Sequence, residues 1–277
     1  MKVLQGKEIS EKILDSLRNK IKNEKSKPAL AVVLIGEDKA SEVYVALKKK
    51  AAQNVGIGFV LHRFKSDAAE KDILKKIKEI NSDKKISGLI VQLPLPKKFA
   101  TQKIIDTIDP QKDVDGFHPE NLKLFLKGEG DIYPVFPKAI MRILEFSRVN
   151  LKNKKAVVIA NSKLFGETLL AALRQKGIIA EYVLAGKIKN SLAKIKQADI
   201  LITAVGQPGL ITGAMVKKSV IVVDGGISKA GKKVLGDVDF DSVKNTASYI
   251  TPVPGGVGPV TIACLLENVY VAAKKQA

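Results

Sequence analysis

The sequence has few of the residues that most readily mark a function. Its 277 residues include one cysteine, Cys264, two histidines and no tryptophan. A single cysteine can form neither an internal disulfide bond nor a multi-thiolate metal site, and Cys264 lies in the apolar run TIACLL, so we interpret it as a core residue. No run approaches the roughly 20 apolar residues that cross a bilayer, and the first residues, MKVLQGKEIS, lack the apolar core of a signal peptide. These absences predict a cytoplasmic protein without a membrane partner.

Arginine is also scarce, although the formal net charge is +19. Readout of base edges relies on the guanidinium fork of arginine, whereas nearly all the positive charge here is lysine. Lysines recur on the polar side of segments such as EKDILKKIKEI (70–80), which is typical of a solvated amphipathic helix. We therefore predict no nucleic-acid partner and keep a basic nucleic-acid-binding protein as an alternative. The arginines are Arg18, Arg63, Arg142, Arg148 and Arg174.

Strand-like apolar runs alternate with helical periodicity in two separate stretches of the chain. The first stretch begins with ALAVVLIG (29–36) and reaches ISGLIVQL (86–93), and the alternation restarts at KAVVIA (155–160) and continues to VIVVD (220–224). This alternation predicts parallel sheets covered by helices.

We predict an α/β protein of two domains with a ligand cleft between them. The first is a parallel-sheet domain, residues 1–134, joined by a returning C-terminal helix, residues 261–277. The second is a Rossmann-like nucleotide-binding domain, residues 135–260.

The stretch PVPGGVGP (252–259) compresses three prolines and three glycines into eight positions. Proline fixes φ and glycine lets a flat ligand approach the main chain, so we interpret the stretch as the floor of a ligand site. A tight turn feeding the helix after Thr261 is the alternative.

Tyr44 and Lys48 are four residues apart, with Ser41 three residues before Tyr44, so all three share one helix face. An ammonium buried beside a phenol or an amide has a lowered pKa and can exchange protons near neutral pH. A surface tyrosine packed over a lysine stem is the alternative. Gln92, in VQLPLP (91–96), ends a predicted parallel strand, where ligand-contacting groups gather.

The segment DPQKDVDGFHPEN (109–121) carries Asp109, Asp113 and Asp115. Their spacing matches neither an EF-hand nor a zinc pattern, so we predict no metal site. A carboxylate that holds a polar heterocycle is the favoured interpretation.

The second stretch contains a candidate nucleotide turn, NSKLFGETLLAAL, which follows KAVVIA. Ser162 and Gly166 open a helix whose first amides could bind phosphate, although the G-x-G-x-x-G pattern is absent and an ordinary strand-to-helix turn is equally compatible. The next strand ends in AGK rather than in an acid, and Lys187 favours NADP over NAD. Ile227, after VVDGG, could cover a ring.

Six motifs resemble, in order and spacing, the bifunctional methylenetetrahydrofolate dehydrogenase/methenyltetrahydrofolate cyclohydrolase family. They are YVALK (44–48), VQLPLP (91–96), KDVDGFHP (112–119), AVGQPG (204–209), GDVDF (236–240) and ITPVPGGVGP (250–259). The resemblance covers nearly the whole chain. It implies oxidation of 5,10-methylenetetrahydrofolate with NADP, or with NAD as the alternative cofactor, followed by hydrolysis of the methenyl product to 10-formyltetrahydrofolate.

The resemblance also implies site residues and assembly as a homodimer. Lys48 corresponds to the acid/base group of the cyclohydrolase, Tyr44 to a stacking residue, Gln92 to the partner that tunes Lys48, and Asp115 to the pterin anchor. The implied substrate-binding residues are Val91, Leu93, Pro254, Gly255, Gly256, Val257 and Gly258. The implied cofactor-binding residues are Ala160, Asn161, Ser162, Gly166, Lys187 and Ile227.

The chain departs from the family pattern mostly near the cofactor. Ala160 and Asn161 stand where the family usually has glycine and arginine, and Gly186 and Lys187 replace a His-Ser pair. Asn161 cannot pair with a 2′-phosphate as arginine does, although Lys163 or Lys187 could substitute. A cyclohydrolase that has lost the dehydrogenase activity is therefore the alternative enzyme hypothesis.

Overall fold

The structure is a computed structural model that describes residues 1–231 and 233–277. In chain order the strands are β1 (Lys2–Val3), β2 (Ala29–Ile35), β3 (Gly58–Phe64), β4 (Gly88–Val91), β5 (Lys155–Ala160), β6 (Ile179–Leu184), β7 (Ile200–Ala204), β8 (Ile221–Asp224), β9 (Ser228–Ala230), β10 (Lys233–Leu235) and β11 (Tyr249–Ile250). The helices are α1 (Gly6–Lys22), α2 (Lys39–Val55), α3 (Glu70–Ser82), α4 (Thr101–Ile105), α5 (Pro119–Leu126), α6 (Val135–Phe146), α7 (Lys163–Gln175), α8 (Leu192–Gln197), α9 (Phe240–Val243) and α10 (Val257–Gln276). Short 3₁₀ helices span Ala185–Ser191 and Gly213–Met215.

The chain divides into two compact units. The three-stranded unit contains Glu11–Val135 and Ile262–Ala277, and the six-stranded unit contains Met1–Ser10 and Phe136–Thr261. Parallel α/β architecture in both units confirms the predicted fold class.

The three-stranded unit is built on a parallel sheet in the order β3-β2-β4. Its central strand reads ALAVVLI and is buried almost throughout, as expected for a parallel strand covered on both faces. Helix α3 packs Ile73, Ile77 and Ile80 against the sheet, because spacings of four and three residues put them on one face.

The outer edge of β4 is extended by the chain around residue 113. Leu89 N donates to Lys112 O at 2.7 Å, and Leu89 forms a parallel bridge with Asp113. Because this segment runs in the same direction as β4, Gln92 and Asp115 leave the sheet at the same end.

The six-stranded unit has its sheet in the order β1-β11-β8-β7-β5-β6, and every pairing in it is parallel. The chain proceeds from β5 to β6 on one side and then to β7 on the other. The order of strands therefore reverses between β5 and β7, which is where doubly wound sheets bind ligands.

The amino terminus departs from the predicted domain boundary. Residues 1–134 were expected in the first domain, but β1 pairs in parallel with β11, Lys2 opposite Tyr249, and Gly6 N donates to Gly255 O at 2.9 Å. Met1–Ser10 therefore belongs to the six-stranded unit. A two-residue strand that completes a distant sheet has no local sequence signal.

Helix α10 begins at Val257, four residues earlier than the Thr261 start expected from the sequence. Proline is tolerated in the first turn of a helix, where its missing donor is not needed, so Pro259 does not delay the start. The expectation that Val257 and Gly258 belong to a loop is therefore wrong. Of the three clustered glycines only Gly255 has a positive φ, at 98°.

By length and composition alone, α10 could cross a membrane, which the sequence reading of apolar runs did not anticipate. Its most apolar 18-residue window is 56% buried within the protein. Burial of this kind is typical of a core helix.

Candidate active site

Helix α2 carries two of the predicted catalytic residues. Asp38 caps its start, with Oδ2 accepting from Ser41 N at 2.7 Å, and the helix follows the carboxyl end of β2 directly. Tyr44 and Lys48 are both partly buried. Burial raises the pKa of the Tyr44 phenol, so it stays protonated at neutral pH.

Lys48 and Gln92 are in direct contact. Lys48 Nζ donates to Gln92 Oε1 at 2.7 Å, and Gln92 Nε2 donates to Leu93 O at 2.7 Å. Burial lowers the pKa of Lys48, while the charge of Asp115 acts in the opposite direction. The amine is therefore easier to deprotonate than an ordinary lysine.

Asp115 lies close enough to Lys48 for the two charges to interact. Burial raises the pKa of its carboxyl from 3.8 to about 6, with the charge of Lys48 lowering it and that of Asp113 raising it further. A lysine and an aspartate whose pKa values are shifted towards each other are typical of a site that handles protons.

The rest of the KDVDG motif holds the main chain that carries Asp115. Lys112 is buried and Nζ donates to the carbonyl oxygens of Ile80 at 2.8 Å and Asp83 at 2.7 Å, at the C-terminal end of α3. Burial lowers its pKa. A lysine at this position complements the carbonyls that a helix end leaves unpaired.

Asp113 fixes the turn that follows. Its carboxylate accepts from Gly116 N at 3.1 Å, His118 N at 2.8 Å and Asn121 Nδ2 at 3.1 Å. The carboxylate of Asp113 is thus engaged by these three amides. Within residues 1–231 and 233–277, no group of three or more His, Cys, Asp or Glu is placed to hold a metal ion.

The predicted substrate residues next to Gln92 differ in placement. Val91 is 7% exposed and packs in the core beside Val33 and Leu89. Its side chain is therefore part of the core, and a role of Val91 in substrate binding stays a prediction. Leu93 is 40% exposed.

In the six-stranded unit, Ser162 caps α7, with Oγ accepting from Phe165 N at 3.3 Å. A β-carbon added at Gly166 would lie 2.7 Å from Cγ of Tyr182 on β6. Glycine here allows the close contact between helix and strand that the nucleotide-binding fold requires. The sequence therefore located the strand-to-helix turn, and binding of a nucleotide by Ser162 and Gly166 stays a prediction.

Asn161 bridges the ends of two neighbouring strands. It follows β5, and Nδ2 donates to Val205 O, just after β7, at 2.7 Å. Ala160 is fully buried. Lys187 lies exposed in the 3₁₀ helix after β6, and Ile227 after β8 is 45% exposed.

Two buried carboxylates that the sequence analysis did not single out organise the loops of this unit. Asp237 accepts from Thr203 Oγ1 and from three consecutive amides, Val205 N, Gly206 N and Gln207 N, at 2.7–2.8 Å. These contacts shape the AVGQPG turn. The only sequence signal was the motif GDVDF, which gave Asp237 no role.

Asp224 is the second of these carboxylates. It accepts from Gly226 N, Asp237 N and Val238 N at 2.9–3.1 Å. Burial raises its pKa to about 6 despite these amides. A cavity of about 650 Å³ beside it is lined in part by Pro252 and Val253, immediately before the turn that carries Pro254 and Gly255.

Two family models together match most of the chain. Residues 4–115 match the catalytic domain of tetrahydrofolate dehydrogenase/cyclohydrolase, and residues 134–277 match its NAD(P)-binding domain.

Full-length relatives agree with these matches. The bifunctional protein FolD of Nautilia profundicola is 45% identical over 99% of this chain and 98% of its own length. The FolD of a Nitratiruptor species is 41% identical over 100% of this chain and 99% of its own length.

Solved structures give the same result. The bifunctional FolD enzyme of Campylobacter jejuni superposes with a TM-score of 0.95 at 38% identity and covers 100% of both chains. The FolD of Trypanosoma brucei, solved with NADP and an inhibitor, gives 0.93 at 28% identity, covering 99% of this chain and 97% of its own. The resemblance drawn from the motifs is thus confirmed, and the chain belongs to the tetrahydrofolate dehydrogenase/cyclohydrolase family.

Proposed function

We propose that this chain is a bifunctional enzyme of one-carbon metabolism, with Lys48, Gln92, Asp115 and Tyr44 as the residues of the folate site. It oxidises 5,10-methylenetetrahydrofolate to the methenyl compound with NADP and hydrolyses that product to 10-formyltetrahydrofolate. The observation that carries the proposal is the hydrogen bond from Lys48 to Gln92 beside the protonatable carboxyl of Asp115.

The hydrolysis needs a base more than it needs stabilisation of negative charge, because methenyltetrahydrofolate is already cationic. Water adds to the carbon between the two nitrogens and gives a proton to Lys48. The protonated amine then protonates the ring nitrogen that leaves, and the new hydroxyl releases its proton to water. Gln92 accepts a hydrogen bond from the amine and fixes its orientation, and Tyr44 provides a ring on which the substrate stacks.

The oxidation needs alignment of two rings rather than strong acid or base chemistry. NADP, when bound, supplies the hydride acceptor. The close packing of Gly166 on Tyr182 and the reversal of strand order between β5 and β7 fit a dinucleotide. We assign its phosphates to the first turn of α7, after Ser162, and one face of its ring to Ile227.

We further propose that Lys187 binds the 2′-phosphate of NADP. Asn161 already donates to Val205 O, and it lacks the charge of the arginine it replaces. Lys187 is exposed after β6, where the acid typical of NAD binders is missing. Calorimetry should show Lys187→Ala weakening NADP about tenfold, as loss of one charged contact predicts. Equal weakening of NAD and NADP would contradict this assignment.

The altered turn at Ala160 and Asn161 favours a second candidate, a cyclohydrolase without dehydrogenase activity. Absorbance-monitored oxidation of 5,10-methylenetetrahydrofolate with NADP and, separately, NAD distinguishes the two. Turnover with either cofactor excludes the second candidate. Hydrolysis of added methenyltetrahydrofolate without any oxidation selects it.

We also propose a cytoplasmic homodimer that works without nucleic acid or membrane. Beyond the family resemblance, support for self-association comes from β6, an edge of the six-stranded sheet, where Ile179 is 59% exposed. Sedimentation of the pure protein as a monomer would contradict the dimer. A gel shift with steep salt dependence would favour the nucleic-acid alternative instead.

A further inference from the structure

A buried asparagine in α10 contacts the segment that carries Asp115. Asn268 is 0% exposed and its Nδ2 donates to two carbonyl oxygens, Val114 O at 2.9 Å and Tyr133 O at 2.8 Å. Val114 is the residue directly before Asp115. One amide group therefore ties together two segments that are 19 residues apart in the chain.

The other contacts of these two segments lie on either side of Asp115. Val135 N donates to Asp115 O at 3.0 Å. Gly116 has φ +80°, and a β-carbon there would lie 2.8 Å from Pro134. Residues 133–135 thus lie alongside residues 114–116. Val135 joins the two segments at one end, and Asn268 joins them at the other.

Helix α10 is otherwise apolar at this depth. Leu265, Leu266 and Val269, the near neighbours of Asn268, are at most 2% exposed. Burying an amide among such residues costs free energy unless it is hydrogen-bonded, and the two bonds from Asn268 Nδ2 offset that cost. An aliphatic residue would fill the same space but would remove this donor from Val114 O and Tyr133 O, so the asparagine acts through its hydrogen bonds.

We propose that Asn268 is a positioning residue for the folate site, acting through the main chain of Asp115. By fixing Val114 O and Tyr133 O relative to each other, it sets where the Asp115 carboxyl stands beside Lys48. This inference rests on the proposed folate role of Asp115 and adds a residue of the last helix to that site.

The test is binding of tetrahydrofolate, measured by calorimetry under anaerobic conditions, to Asn268→Leu. This variant keeps the approximate volume but removes both donors. We expect the Kd to rise about tenfold, the scale of leaving buried acceptors unpaired, while NADP affinity stays at the wild-type value because the fold is retained. The Kd of Asn268→Ser, which keeps one donor, should fall between those of the wild type and Asn268→Leu. This variant replaces Asn268→Leu in the test if the leucine variant does not fold.

Two controls separate positioning from a loss of stability. Ile77→Val removes a methylene group from the core of the same unit, and Tyr270→Phe removes the hydrogen bond from Tyr270 Oη to Glu24. Both should bind tetrahydrofolate as the wild type does. If Ile77→Val, at equal loss of thermal stability, weakens binding as much as Asn268→Leu, the inference is overturned.

A double-mutant cycle with Asp115→Asn gives the sharpest result. If Asn268 acts through Asp115, adding Asn268→Leu to Asp115→Asn should change the Kd less than about twofold. Either of two results would overturn the inference and leave the proposed function standing. One is a Kd of the double variant that rises by the product of the two single effects, and the other is wild-type binding by the single variant Asn268→Leu. Failure of the wild type to bind tetrahydrofolate would instead overturn the proposed function itself.

Discussion

Lys48 Nζ and Gln92 Oε1 are 2.7 Å apart, and Gln92 cannot reverse its amide without losing the bond from its Nε2 to Leu93 O. The glutamine therefore presents an acceptor to the amine in a fixed orientation. A neutral acceptor aims the amine without adding the negative charge that would keep it protonated.

The first prediction concerns Gln92→Glu. A carboxylate beside Lys48 favours the ammonium form and raises its pKa, so the free base forms only at higher pH. We expect the cyclohydrolase rate to fall at neutral pH and the rising limb of its pH profile to move to more alkaline values. Glu42→Gln, also on α2 but paired with Arg63, should leave the profile unchanged. An unshifted limb in Gln92→Glu would contradict the role of Gln92.

The second prediction is loss of the cyclohydrolase in Lys48→Ala, with the free energy of unfolding changed by less than about 1 kcal/mol. The partly buried ammonium gains little from its surroundings, since burial works against its charge. Lys49→Ala, next in sequence and exposed, should keep wild-type activity. Hydrolysis of methenyltetrahydrofolate at the wild-type rate by Lys48→Ala would rule out Lys48 as the base.

The third prediction uses the raised pKa of Asp115, about 6 in the folded protein against 3.8 ordinarily. Between these values the folded state binds more protons than the unfolded state, so this group lowers stability as pH rises through the window. Asp115→Asn should therefore be more stable than the wild type at pH 7, by about 1–3 kcal/mol, and equal to it near pH 3. Urea unfolding at both pH values measures the difference, and a variant less stable at pH 7 would contradict the direction.

The fourth prediction concerns the contact between Gly166 and Tyr182. Gly166→Ala should destabilise the protein by about 1–3 kcal/mol because the new methyl group overlaps the ring. In a protein that already carries Tyr182→Ala, and so lacks the ring, Gly166→Ala should leave the stability nearly unchanged. Gly186→Ala is the matched control, since nothing lies within 4 Å of a β-carbon there. Equal effects of the two single glycine variants, by thermal unfolding, would contradict the packing argument.

The sequence was sufficient to predict the fold class and to place the main side chains of the proposed folate site on their elements. Residues four apart share a helix face whatever surrounds them, so Tyr44 and Lys48 could be paired without a structure. Gln92 was predictable because strand ends converge at one edge of a parallel sheet.

Contacts between distant parts of the chain were not predictable. Asn268 in an apolar helix carries no signal until its partners, Val114 O and Tyr133 O, are known. Asp237 likewise was only one acid in a short motif, because the backbone amides that donate hydrogen bonds to its carboxylate lie 30–32 residues earlier in the chain. Local pattern also failed for β1, whose two residues form a strand only because β11 offers an edge.

Neither unit consists of one continuous stretch of chain, and this affects how the protein is made. The six-stranded unit takes its first ten residues from the amino terminus and the three-stranded unit its last sixteen from the carboxyl terminus. During synthesis, β1 cannot pair until β11 has been made, and residues 112–116 cannot contact Asn268 until α10 has been made. Each unit therefore completes its native contacts only after residues 249–268 have been synthesised, so neither unit can finish folding from its earlier strands and helices alone.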